Sequence, residues 1–174
     1  MDNSKLDKDM EYLVENIKKL KKIEMYNIDN LIKSYNHQLA SLIFFYNIAN
    51  KNHNKYFILK HRNIEVHTLM YVNLGRGFPK EFMDGHWCYI VKKLGDSKVL
   101  IIPTASLKGN DKEGYLQRII KSYNPKNKKI IFSKLKYSDI RAVDIQRLYF
   151  SKGVCYVKTP RKEIMKHLNK IIGI

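Results

Sequence analysis

His86 is the side chain in this chain best suited to chemistry. It follows Gly85, opens an apolar stretch (WCYIV), and carries an imidazole able to give or take a proton near neutral pH. Thr104 ends the apolar run KVLIIP where the chain turns, with Ser106 two residues on. A hydroxyl there commonly satisfies the local backbone, and a lone histidine is most often structural or solvated. Other chemistries are absent from the sequence. No GxxxxGK[ST] element supports phosphate binding of the P-loop kind. Gly75-Arg76-Gly77 lacks a third glycine and reads as a turn. His37, His53, His61, His67, His86 and His167 show no metal-ligand spacing, and no CxxC pair occurs, so no metal and no cofactor are expected. Cys88 lies among bulky apolar residues and reads, with Cys155, as a reduced core thiol.

Charge narrows the possible ligands. The 174 residues hold 33 Lys+Arg against 16 Asp+Glu, a formal charge of +17. Residues 1–30 carry six Lys and seven acids, net −1, so residues 31–174 carry 27 bases and nine acids, net +18. A body this basic attracts polyanions, and Lys and Arg contacts to phosphate supply most non-specific affinity for nucleic acid. A membrane surface is disfavoured, because the most amphipathic helix is the acidic-leaning one. No run of 18 apolar residues occurs, and the start MDNSKLDKDM lacks the layout of a secretory signal, so a cytoplasmic protein is expected.

The elements that must position these residues follow from periodicity. Leu6, Met10, Leu13, Ile17 and Leu20 predict a helix over 5–24, packed on its own protein or offered to a partner helix. Leu31, Ile32, Tyr35, Leu39, Leu42, Ile43 and Tyr46 predict a second over about 28–49, with Asn27 as cap and the LIFFYNI end buried against the body. The polar stretch NKNHNK at 50–55 divides a helical extension, 1–52, from a second domain, 56–174. There, YFIL, VHTLMYVNL, WCYIV, KVLIIPT, KIIFSKL and GVCYVKT alternate with turn residues, the pattern of a small twisted sheet or barrel. Gly95-Asp96 predicts a hairpin. A short helix, GYLQRIIKSY, is expected within 108–129, and a terminal helix over about 161–172 with Pro160 at its first position.

The window YVNLGRGFPKEFMDGHWCYIVKKLGDSKVLIIPTAS resembles the PemK/MazF/Kid family of toxin endoribonucleases. Tyr71-Val72-Asn73-Leu74-Gly75 is similar to the family's first strand end, Glu81 to its loop glutamate, Asp84-Gly85 to the step into its second strand, and Pro103-Thr104-Ala105-Ser106 to its third strand end. A second window is similar to the family's Q-[IP]-R-T-I-D-x-x-R-L segment, with Ile140, Arg141, Asp144, Arg147 and Leu148 matching in order without a gap. The two windows cover about residues 66–148. The resemblance implies an α+β protein: a small SH3-like β-barrel with an N-terminal helical extension and a C-terminal helix, usually a homodimer restrained by an acidic antitoxin. It implies metal-independent cleavage of single-stranded RNA by 2′-hydroxyl attack on the adjacent phosphate.

The sequence departs from the family at one consequential place. His86 stands where the family has arginine, and Trp87 where it has proline. Histidine shuttles protons better than arginine, whereas arginine clamps phosphate better. On the resemblance, His86 and Thr104 are catalytic, with Ser106, Lys136, Arg141, Glu81 and Trp87 supporting the substrate. Arg141 is alternatively a structural partner of Asp144. Trp87, Tyr89, Tyr71 and Phe78 interleave with cations and suit base stacking, although strand alternation turns about half of them inward. A catalytically silent RNA- or antitoxin-binding module is the other reading, and restraint by RNA instead of a protein is a third.

Overall fold

The computed structural model describes residues 3–51, 63–78 and 80–173. The chain divides into two compact units, Met1–Phe44 and Phe45–Ile174. The expected strand YFIL and most of the NKNHNK break lie outside the described residues.

Two helices open the chain, α1 (Asn3–Lys21) and α2 (Ile28–Lys51). Asn27 caps α2, its Oδ1 accepting from the Asn30 amide at 2.9 Å. The apolar stripe of α1, including Leu6, Met10, Leu13 and Val14, is exposed. So are Leu42, Ile43, Phe44 and Tyr46 of α2, whereas Ala49 is buried.

The second unit is built from β1 (Thr68–Asn73), β2 (Gly85–Leu94), β3 (Lys98–Ser106), β4 (Gln117–Asn124), β5 (Lys129–Lys136), β6 (Arg141–Asp144), β7 (Val154–Val157) and a helix, α3 (Arg161–Ile172). Six strands form a closed antiparallel ring in the order β1-β2-β3-β5-β4-β7 and back to β1. The ring closes through β3. One edge pairs with β2 over Lys98–Pro103; the other pairs first with β6, over Lys98–Ile101, and then with β5, over Thr104–Ser106. The β2–β3 hairpin turns at Gly95, whose φ of +68° is the left-handed backbone that glycine adopts without strain.

Alternation sorts each strand between two apolar clusters. Leu69, Tyr89, Val91, Ile102, Ile120, Leu135 and Cys155 come from all six ring strands and fill the lumen, where Ile164 and Leu168 of α3 join them. Met70, Val72, Cys88, Ile90, Val99 and Ile101 lie on the outer face of β1–β3 and are covered by Val143, Ile145 and Leu148. The architecture is therefore α+β, a closed six-strand barrel with three helices.

Two sequence expectations change. The stretch GYLQRIIKSY is not a helix; it supplies β4, which pairs with β5 over eight residues and also with β7. Ile120 and Ser122 point inward and are fully buried, a period of two that long-range pairing imposes over any local helical preference. Pro160 caps α3 from one position before its first turn, and its carbonyl accepts from the Glu163 amide at 3.1 Å.

Leu135 is wholly inaccessible at the centre of the lumen. Leu135→Ala is expected to cost about 2–5 kcal/mol and to lower the thermal midpoint, with the same fold retained by circular dichroism. His67 gives a second expectation. Its ring Nδ1 lies 2.9 Å from the Tyr89 hydroxyl, and burial, helped by the charge of Arg161, lowers its pKa below 6.5. The unfolded chain takes up this proton at a higher pH than the folded one does. Stability from the neutral ring is thus complete above the unfolded-state value, shrinks as pH falls from there to the lower folded-state value, and levels off below it. Acid should lower the melting temperature of the native chain more steeply than that of His67→Gln.

Candidate active site at the barrel rim

The start of β2, the end of β1 and the loop between them form one rim of the barrel. The ladder continues past the strands: the Leu74 amide donates to the Asp84 carbonyl at 2.7 Å, and the Asp84 amide donates to the Gly75 carbonyl at 2.6 Å. Asp84 sits at φ +61° and turns the chain into β2. Glu81 ties the loop, its Oε2 accepting from the Phe78 amide at 2.8 Å. A Cβ on Gly77 would lie 1.9 Å from that oxygen, so a larger residue there would push the carboxylate aside. Glu81 is thus placed to shape the loop.

His86 pairs with Val72 and, by alternation, shares the outer face with Cys88 and Ile90. The ring is half-buried and meets Phe82 edge-on, with centroids 5.0 Å apart. The Phe82 amide approaches Asp139 Oδ1 at 3.5 Å, and Arg141 Nη2 lies 3.6 Å from the same oxygen. Arg141 pairs with Ile101 on β3, so it lies on the same outer face as His86. Its partner is Asp139, not Asp144, whose carboxylate accepts from the Gln146 amide at 2.8 Å. Ser138 Oγ donates to the other oxygen of Asp139 at 2.7 Å. An imidazole and a guanidinium thereby stand on one face, linked through Phe82 and Asp139.

Thr104 does not stand beside His86 on that face. Its side chain follows the alternation of Ile102, toward the lumen, and the residue is 6% exposed. Oγ1 donates to the Trp87 carbonyl at 2.8 Å, the bond expected of a hydroxyl that satisfies local backbone. Ser106 is exposed at the end of β3. Lys136 is half-buried, with Nζ 2.5 Å from Gln117 Oε1. Trp87 packs against the lumen cluster and meets Tyr71 edge-on at 5.8 Å; Tyr71 in turn meets Tyr149 at 5.7 Å, with Lys152 Nζ 5.5 Å from its ring centre. Tyr89 is core, and Phe78 is exposed. Cys88 and Cys155 are free, buried thiols, and burial pushes both upward in pKa. Among the described residues no three His, Cys, Asp or Glu side chains cluster in a way that could hold a metal ion. No helix among them is long and apolar enough to cross a membrane.

Arg76 is the residue that sequence reasoning missed. Its side chain is 9% exposed, with Nε 3.3 Å from Asp84 Oδ1 and Nη1 3.4 Å from Met83 Sδ. The pair fastens the loop two residues ahead of His86. Nothing in the spacing of Gly75-Arg76-Gly77 signals an acid eight positions on.

No protein-family model matches the chain, and no curated protein matches it significantly.

Removing the Thr104 hydroxyl while keeping its shape isolates the bond to Trp87. Thr104→Val is expected to cost about 1 kcal/mol, read as a lower denaturant midpoint at unchanged slope.

Proposed function

We propose that the chain is a toxin-type endoribonuclease that cleaves single-stranded RNA without needing a metal ion, on a barrel of the SH3-like kind found in the PemK/MazF/Kid family. The observation that carries the proposal is the placement of His86 and Arg141 on one face of the rim. Cleavage by an internal 2′-hydroxyl needs a base for that hydroxyl, a proton for the departing 5′-oxygen, and positive charge against the phosphorane. The 2′-oxygen forms a bond to phosphorus and the bond to the 5′-oxygen breaks, leaving a cyclic phosphate and a free 5′-hydroxyl. His86 moves the proton and Arg141 offers its charge to the phosphate. Thr104 holds the Trp87 peptide in place instead of touching the ribose. The net charge of +17 supports a polyanionic substrate. On this reading the chain pairs with a second copy, acts in the cytoplasm and is restrained by an acidic antitoxin.

A second reading, a silent RNA-binding module, is favoured by the engagement of the Thr104 hydroxyl and by the ion pair that Arg141 makes with Asp139. A fluorophore-quencher RNA assayed with chelator separates the two. The native chain is expected to cut, His86→Ala to lose cleavage with a nearly unchanged melting curve, and Arg141→Gln to cut more weakly. Binding by the native chain without cutting selects the silent module, and cutting by His86→Ala at the native rate overturns the mechanism.

A further inference from the structure

The outer face of β7, β4 and β5 lies apart from the His86 rim. Ile120, Ser122, Leu135, Cys155 and Val157 are buried, so the alternate residues of the same strands point outward. Register puts Tyr156, Tyr123 and Ile130 in one row, and Lys121 and Phe132 side by side in the next. Phe132 is 53% exposed and Ile130 54%, and Tyr156 is exposed as well. Lys158 Nζ lies 5.9 Å from the centre of the Tyr123 ring. From Gly114 to Ser138 the chain carries seven Lys and Arg and no Asp or Glu. Three of those cations are engaged: Arg118 with Glu163, Lys134 with Asp111, and Lys136 with Gln117. Lys121, Lys126, Lys128 and Lys129 remain exposed around the aromatic rows.

Aromatic rings on neighbouring strands, with four exposed lysines around them, suit a ligand with stackable planar groups on an anionic backbone. We infer that this face is a binding platform for single-stranded nucleic acid: Phe132, Tyr123 and Tyr156 stack bases, and Lys121, Lys158 and the turn lysines follow the phosphates. An acidic protein segment would answer the charge but leaves the ring rows without a purpose. A second copy of this basic surface would be repelled by it. The inference shares with the proposed function the class of ligand, but not the cleavage.

The test uses the full chain and a short fluorescent oligothymidylate, which has no 2′-hydroxyl and so reports binding whether or not the chain cuts RNA. Phe132→Ala is expected to weaken binding about tenfold or more. Phe132→Tyr retains affinity, and Phe132→Leu does not restore it, because an apolar side chain without a ring cannot stack. Lys121→Gln reduces the dependence of log affinity on log salt by about one. Phe132 is exposed, so matching melting curves show that the variants are folded. Unchanged affinity in Phe132→Ala overturns the inference, as does full rescue by leucine. So does a Phe132→Ala variant that changes only sedimentation, which would make the face an interface between copies. The oligothymidylate cannot be cut through a 2′-hydroxyl, so failed cleavage and failed binding are told apart.

Discussion

Everything in the second unit depends on β3 sharing its outer edge between two strands. Over Lys98–Ile101 that edge accepts β6; beyond Pro103 it accepts β5. The first pairing lays Arg141 on the outside of the barrel. The second closes the ring and fixes the position of Thr104. A β3 paired with only one of these strands would leave either the guanidinium unplaced or the lumen open. Backbone hydrogen bonds therefore decide which side chains meet at the rim, and side-chain packing on both faces of β3 makes that choice rigid.

Much of this was legible in the sequence. Short apolar runs separated by turn residues predict a small twisted sheet or barrel, and the glycine of KLGDSKV predicts its hairpin, because alternation and turn chemistry are local properties. β4 was not legible. Its Ile119-Ile120 pair fits helix and strand alike, and only the ladder to β5, closed by a turn at Asn124–Lys129, decides between them.

The candidate site was half legible. His86 stands out by its chemistry and Arg141 by the resemblance, and the register puts both on one face. Thr104 stands out as well, but strand parity turns it toward the other face. Cross-strand neighbours share a face, and the continuation of the β2–β3 register sets Thr104 against Trp87, not His86. Arg76 was invisible because its partner lies across a loop whose course no motif encodes.

A ring of strands has no first and last member, so each of its six strands is paired on both sides over part of its length. Among the described strands, β6 is the one that pairs on a single side, and it is four residues long. An edge that short is a poor template for cross-β growth.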